Sequence, residues 1–511
     1  MIRPLRLAAS LVLFAPLAFS QPAPSLAKVD PQSSATPALT LEECVARALG
    51  KNFDLKIQEF DTQNARDAIT IAQAAYDPTL QASASTGKAK SAEQNTTTII
   101  DENGNPVVVV LPSSRSEGAD IRLGVSQKIV TGATVSASGA LDRSKRTPAS
   151  SRLNPAYDSD VTLSINQPLL QGSGLAVNRA AIARARIGLT RSEFDFKSAV
   201  LSVVRNVEAA YYDLGFAREQ LAVRRFSLQV AEQLFEENEA KRNTGVATDL
   251  DVLQAEVGVA NARRNVLLAE QTVRDSEDNL LQLIGQFEFN TTLGDVKFTE
   301  QAIPAVSFDE SYQRALTNAP DYASAKAAVE QLKLDARVAK NNTLPALDLG
   351  GAVGLNNRDD SWGDAAQEAF SRDGYSWQVD LTLTVPWGLR AEKARYRQAL
   401  SNLSRQETLL RAVDQDIVVQ VRAAVRAVET NRESVDISAK ATELSQRQYD
   451  LEKARYDAGL STFRRVQEAQ EDLDNARVSE LQAKVNLRVA LADLARLEGS
   501  SLERYKITLM Q

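Results

Sequence analysis

A chain without histidine can form no Ser–His or Cys–His catalytic pair and can ligate no metal through imidazole, and none of these 511 residues is histidine. The single cysteine, Cys44, has no intrachain partner for a disulfide and cannot build a multi-cysteine metal site. What remains for acid–base work is 66 Asp and Glu side chains, scattered with no pairing that marks a general acid beside a base. No catalytic residue, cofactor site or metal site is expected, and the chain is read as a non-enzyme. The chemistry left is recognition and conduction, carried by charges at turns and by apolar rows along regular elements.

Targeting sets the solvent for those elements. Residues 1–20 read as a secretory signal peptide, with Arg3 and Arg6 ahead of the apolar run Leu7–Phe19 and small residues in Ala18-Phe19-Ser20. No cysteine follows, so the mature N-terminus is not expected to be lipidated. Loss of Arg3 and Arg6 takes the formal charge from −7 to −9, which argues against nucleic acid as a partner. No later stretch holds 18 consecutive apolar residues, so a membrane role would have to use β-strands. Only 23 Gly and 16 Pro in the whole chain point to long uninterrupted helices.

The chain repeats itself. At an offset of 267, Thr40-Leu41-Glu42-Glu43 falls on Ser307-Phe308-Asp309-Glu310, and Asp77-Pro78-Thr79-Leu80 on Leu344-Pro345-Ala346-Leu347. At an offset of 214, Gly245, Thr248, Val252, Ala255, Leu280 and Gly285 fall without a gap on Gly459, Thr462, Val466, Ala469, Leu494 and Gly499. The organisation predicted is a segment 21–40, a first unit 41–285, a linker 286–306, a second unit 307–499 and a tail 500–511. Each unit runs helix, strands, very long helix, turn, return helix. The helical hairpins are placed at 175–284 and 389–498, with long arms Leu175–Asn243 and Leu389–Asp457 of about 100 Å each. Gly245 and Gly459 suit a positive φ at the turns, and Thr248 and Thr462 suit the N-caps of the return helices. Val252, Ala255, Val259, Ala262, Val266 and Ala269 continue a 3-4 spacing, the seam of a close-packed coiled coil. The return helix is half as long as its partner, and the leading helix Leu41–Ala75 is long enough to supply the other half by stacking end to end with it.

Within 79–169 and 347–386 the period switches from seven to two. Ile121, Leu123, Val125 and Ile129 alternate with Asp120, Arg122, Gly124 and Lys128, and Val379, Leu381 and Leu383 alternate with Gln378, Asp380 and Thr382. Segments of this kind suit a transmembrane β-barrel, and also a half-buried soluble sheet. Polar stretches Lys88–Gly118, Arg143–Asp158 and Asn356–Gly374 are expected as outer loops. The first unit holds one hairpin more than the second, at 119–142, and the pattern leaves open whether it adds barrel strands or is an insertion.

Several motifs then align. Gln167-Pro168-Leu169-Leu170 and Val385-Pro386-Trp387 stand at strand exits, Arg179 and Lys393-Ala394 near the starts of the long helices, and Tyr456-Asp457-Ala458-Gly459 and Asp251-Val252-Leu253 at the tips. No one of them is specific; their duplicated order is. Over nearly all of its mature length the chain resembles the outer-membrane efflux proteins, the TolC-like family. The resemblance implies a mainly α protein with a membrane β portion, three copies sharing an α-barrel and a β-barrel. It implies a passive homotrimeric duct in the bacterial outer membrane, extending into the periplasm. Its implied partners are outer-membrane lipid, a periplasmic adaptor (membrane fusion) protein and an inner-membrane transporter, with small molecules or polypeptides as cargo of efflux or type I secretion. By motif position it also implies an aperture beside the turns. Arg465 and Glu468 occupy places where the family is acidic, Arg465 departing from that pattern; Asp251 and Gln254 are their first-unit mates. Tyr456 matches a tyrosine that helps hold the aperture shut. An Asp251–Arg465 pair would latch it, and Gly245, Thr248, Gly459 and Thr462 would meet the adaptor. The alternatives are a periplasmic adaptor, normally one hairpin with Gly-rich β domains, and an exported coiled-coil scaffold, which has no use for the period-two strands.

Overall fold

The computed structural model describes residues 39–91, 96–110, 113–147, 152–245, 247–285, 306–370 and 374–507. The expected leader, residues 21–38, residues 286–305 and residues 508–511 lie outside them. Helices α1 (Leu41–Lys51) and α2 (Phe53–Ala74) lead to strand β1 (Thr79–Lys90), a hairpin of β2 (Thr96–Ile100) and β3 (Pro106–Val110), then β4 (Arg115–Lys128), β5 (Thr134–Thr147) and β6 (Ala156–Pro168). One turn of helix, α3 (Leu175–Asn178), precedes α4 (Ala180–Asn243) and its return helix α5 (Asp249–Leu283). The second copy runs α6 (Phe308–Asn318), α7 (Pro320–Asn341), β7 (Ala346–Asp359), α8 (Trp362–Gln367), β8 (Tyr375–Thr384), α9 (Arg390–Asp457) and α10 (Phe463–Glu498), with α11 (Ser501–Arg504) after it.

The leading helix divides where local chemistry divides it. Asn52 is extended (φ −62°, ψ 132°), closes α1, and caps α2 by accepting from the N–H groups of Asp54 and Leu55. In the second copy Ala319 takes the same extended place, with Pro320 opening α7. The short helices lie end to end along the long ones: α1, α2 and α5 against α4, and α6, α7 and α10 against α9. Contacts of α4 with α7 and α10 then join the copies. The layer reads α2/α5, α4, α7/α10, α9, leaving α2/α5 and α9 as its two flanks.

The stacked helices meet at glycine. Asn52 Nδ2 donates to the Leu283 carbonyl (3.0 Å), and beside it Gly285 (φ +64°) lies so close that a Cβ would stand 2.5 Å from the Lys51 carbonyl oxygen. In the second copy Asn318 Nδ2 donates to the Glu498 carbonyl (3.3 Å), and a Cβ on Gly499 (φ +69°) would stand 2.9 Å from the Asn318 Cβ. The apolar core gathers at this level. Cys44, Val45, Val204, Val207, Leu214, Leu280 and Ile284 form one cluster; Ala315, Val421, Val425, Leu487 and Leu494 form the other.

The strands form one antiparallel sheet in the order β1-β4-β5-β6-β7-β8. Its register sorts side chains by face. One row across the six strands is Leu80, Val125, Ala137, Leu163, Val353 and Trp377, and the next row is Thr79, Ser126, Ser136, Ser164, Ala352 and Gln378. The alternation holds along the middle of the strands, where one face is apolar; toward the far ends that same face carries Lys88, Glu117 and Arg143. The other carries Asp120, Arg122, Asp142, Asp160, Asp348 and Asp380. Trp377 lies near the start of β8 and Trp387 three residues past its end; the ten residues from one to the other at about 3.3 Å each, tilted about 40°, span about 25 Å, the height of an outer-membrane apolar band. No described helix is long and apolar enough to cross a membrane.

One expectation changes, and the sheet takes in the hairpin whose place the sequence left open. The stretch Lys88–Gly118 holds the β2–β3 hairpin, β4 starts within it at Arg115, and β5 runs on to Thr147. Beyond the apolar band both faces meet water, so strands continue there with no alternation to announce them. The first-unit hairpin at 119–142 is part of the sheet, hydrogen-bonded between β1 and β6.

Candidate functional site at the helix tips

Each hairpin turns on a left-handed glycine. Gly245 (φ +78°) follows α4, and Gly459 (φ +76°) follows α9; neither has a neighbour within 4 Å of a would-be Cβ, so backbone conformation alone selects glycine. The amide of Gly245 donates to the Arg242 carbonyl (2.9 Å) and that of Gly459 to the Tyr456 carbonyl (2.9 Å), closing both helix ends in the same way.

The return helices start differently. Thr248 and Asp251 form a reciprocal capping box: the Asp251 amide donates to Thr248 Oγ1 (3.3 Å), while the Thr248 amide (2.9 Å) and hydroxyl (2.6 Å) donate to Asp251 Oδ2. These donations, the hydroxyl's first, hold the Asp251 carboxyl below its usual pKa. In the second copy the third helical position is Arg465, which offers donors where the box needs an acceptor, and Thr462 makes no side-chain cap. That turn is tied instead by Ser461, whose hydroxyl donates to Glu452 Oε2 (2.7 Å) and lowers its pKa.

The sequence-predicted aperture residues are therefore only partly together. Asp251 is engaged with Thr248, and among the described residues no ion pair joins it to Arg465 within one protomer. Glu468 pairs with Arg464 (2.9 Å) on the exposed face of α10, and Gln254 is exposed on α5. Tyr456 is the one that bridges elements. Its hydroxyl donates to Asn238 Oδ1 on α4 (3.2 Å), its ring meets Phe463 at 6.5 Å, and Lys241 Nζ lies 3.7 Å from the ring centroid.

Further polar ties join the two hairpins above this point. Ser227 of α4 donates to Asp474 of α10, which also accepts from Gln470 Nε2 (3.0 Å); burial raises the Asp474 carboxyl, against the Ser227 bond and the charges of Arg224 and Arg477. These groups border a cavity of about 400 Å³ between α4, α5 and α10, near Ala255 and Phe463. Higher still, Arg205 clamps Asp493 with two bonds (2.6 and 3.1 Å). Asn238, Asp474 and Asp493 were not singled out from the sequence. Asn238 gave no repeat signal, because its mate at offset 214 is Glu452. These ties span the two hairpins, so making or breaking them can join or release the pair.

Comparison with known proteins matches this architecture. The outer membrane efflux protein profile fits residues 133–286 and 311–500, more than half of the chain. The pyoverdine export outer membrane protein OpmQ of Pseudomonas aeruginosa is 27% identical over 329 residues, 61% of this chain and 66% of that relative's length. Outer membrane protein TolC of Vibrio cholerae is 21% identical over 367 residues, 70% of this chain and 80% of TolC. In fold, the CmeC outer membrane channel of Campylobacter jejuni superposes with a TM-score of 0.65 at 19% identity, covering 92% of this chain and 90% of CmeC.

Proposed function

The chain belongs to the outer membrane efflux protein family, and from that premise we propose that it is the outer-membrane channel of a tripartite efflux or type I secretion system. Three copies form one passive duct through the outer membrane and into the periplasm. It receives cargo from an inner-membrane transporter through a periplasmic adaptor.

The observation that carries this reading is the pair of flanks each protomer leaves open. On one flank α2 and α5 expose Phe53, Ile57, Phe60, Leu250, Leu253 and Val257, and they continue into the unpaired edge of β1. On the other, α9 exposes Ile437, Leu444 and Leu451 at heptad spacing, and it is preceded by the unpaired edge of β8. An unpaired strand edge in lipid leaves N–H and C=O groups without partners at several kcal/mol each, so the sheet has to close. Joining one copy's α2/α5–β1 flank to the next copy's α9–β8 flank closes sheet and helical layer together, and a heterologous contact that closes makes a ring.

The turns at Gly245 and Gly459, with Thr248 and Thr462 beside them, are the surface offered to the adaptor, and the residues around Tyr456 hold the inner end shut. The test is to extract the protein from outer membranes in detergent and measure its mass and its conductance in planar bilayers. A trimer that inserts discrete conductance steps supports the reading. A monomer, or a protein recovered only from the soluble periplasm, overturns it.

A further inference from the structure

We infer that the β4–β5 hairpin is a wall element of the outer-membrane pore, which widens the trimeric barrel to eighteen strands and suits it to bulkier cargo than a twelve-stranded pore passes. The inference rests on the trimeric reading above and deepens it. The second unit sends a single pair, β7 and β8, into the sheet, whereas the first sends β1 and β6 with β4 and β5 between them. β4 pairs with β1 over residues Arg115–Ser126, and β5 pairs with β6 over residues Thr134–Ser144, so the hairpin is bonded along both sides.

Its faces agree with the rest of the wall. Val125 stands in the row of Leu163 and Val353, Leu123 in that of Val161 and Leu355, and Ile121 beside Leu141 on the same face; Ile121, Leu123 and Val125 are exposed to the same degree as Leu163 and Val353, at 43–58%. Ser126 shares the row of Ser164 and Gln378, Gly124 that of Thr162 and Ser376, and Arg122 that of Asp160 and Asn356, all on the polar face. An appended hairpin would leave its turn free, but this turn is docked. Gly132 (φ +100°) lies so close to the strand–helix junction that a Cβ would stand 2.6 Å from the Gly172 carbonyl oxygen and 2.7 Å from Asn178 Nδ2. The Gly174 amide donates to the Thr131 carbonyl (3.3 Å), the Thr131 hydroxyl to Gln167 Oε1 (3.1 Å), and Gln127 Nε2 to the Tyr76 carbonyl (3.1 Å).

The sheet is also sheared as a closed wall requires. The row that begins at Thr79, the first residue of β1, arrives at Gln378, well inside β8, and not at its last residue Thr384. Continuity of the polar face then sets Gln378 opposite an odd-numbered residue of the next copy's β1. With strands about 4.8 Å apart and tilted about 40°, eighteen strands enclose a backbone ring about 36 Å across and twelve a ring about 24 Å across. Side chains about 5 Å deep on each side leave bores of about 26 and 14 Å. The cargo class is thus solutes about 15–25 Å wide.

Cysteine labelling of the full-length trimer in bilayers tests the wall, since the native Cys44 is buried. Ser136→Cys and Ser138→Cys are expected to react with a membrane-impermeant maleimide at least tenfold faster than Ala137→Cys. Equal rates at all three overturn the inference. Neutral polymer about 20 Å wide, added on the outer side, is expected to depress single-channel current. A variant lacking residues 115–147 is expected to exclude that polymer. Exclusion by the unaltered trimer overturns the inference whether or not the variant folds. Disulfides between Thr384→Cys and the neighbouring copy's Thr79→Cys or Gln81→Cys report the trimer separately. Their absence counts against the trimeric reading, and their presence with no alternation at Ser136–Ser138 counts against the wide wall alone.

Discussion

The hydroxyl of Tyr456 donates to Asn238 Oδ1 over 3.2 Å, from the end of one long helix to the other, and Asn238 is only 1% exposed. The asparagine cannot turn away, because its Nδ2 donates to the Leu234 carbonyl in its own helix (2.7 Å). The tie lies closer to the turns than Ser227–Asp474 or Arg205–Asp493, so it is the first of the three to part if the tips separate.

Removing it should loosen the tips without unfolding them. Tyr456→Phe keeps the ring, the Phe463 contact and the Lys241 cation over it, but leaves a buried oxygen unsatisfied, at a cost of about 1–3 kcal/mol. Asn238→Ala adds a cavity. Single-channel conductance is expected to rise in both variants, more in Asn238→Ala, with the detergent-stable oligomer intact. Unchanged conductance in both would remove Tyr456 from any closing role.

The capping asymmetry gives a paired exchange experiment. Asp251→Ala should destabilise the first return helix by about 1 kcal/mol, and Arg465→Asp should build the missing box and stabilise the second by a similar amount. Amide exchange at residues 249–252 should quicken roughly fivefold in the first variant, and at 463–466 slow roughly fivefold in the second. The sign with pH follows from the depressed Asp251 pKa. Its contribution is present above the unfolded value of about 3.9 and is lost as pH falls through the folded one, so acid should erase the difference between wild type and Asp251→Ala.

Much of this was legible in the sequence for a physical reason. Long helices and membrane strands impose strict periods, and duplication prints each period twice, so the seam from Val252 to Ala269 and the alternation from Gln378 to Leu383 declare themselves. What was hidden lies where period carries no information. Strand β5 beyond Asp142 has water on both faces, and the place of the β4–β5 hairpin depends on contacts of Gly132 and Thr131 with residues 36–46 positions away. Thr248 reads as an N-cap, but the box needs Asp251 as well, which motif position assigns to an aperture instead. Asn238 was invisible because a buried asparagine in a helix differs from a solvated one only through its neighbours.

Asp474 should make stability fall with rising pH. Its folded pKa is raised by burial, so its contribution is fully present below the unfolded value and is lost as pH rises through the folded one. Asp474→Asn keeps the shape and can still meet Ser227 and Gln470, but it cannot ionise. Relative to wild type, the variant should gain thermal stability between pH 4 and pH 8, read by circular dichroism in detergent. A constant offset at both pH values would place the burial cost elsewhere.

Gly245 and Gly285 separate conformational need from close packing. Both have positive φ (+78° and +64°), so alanine at either carries the left-handed penalty of about 1–2 kcal/mol. At Gly245 nothing lies within 4 Å of the added Cβ, and that penalty is the whole effect, confined to an exposed turn. At Gly285 the methyl meets the Lys51 carbonyl oxygen at 2.5 Å and the Lys51 carbonyl carbon at 2.8 Å, backbone that cannot yield without parting α1 from the end of α5. Gly285→Ala should therefore lower the unfolding temperature of the whole chain, with exchange quickened around Cys44 and Leu280, whereas Gly245→Ala should quicken exchange only at the tip. Equal global losses would mean that the junction yields after all, and that its glycine answers to backbone conformation alone.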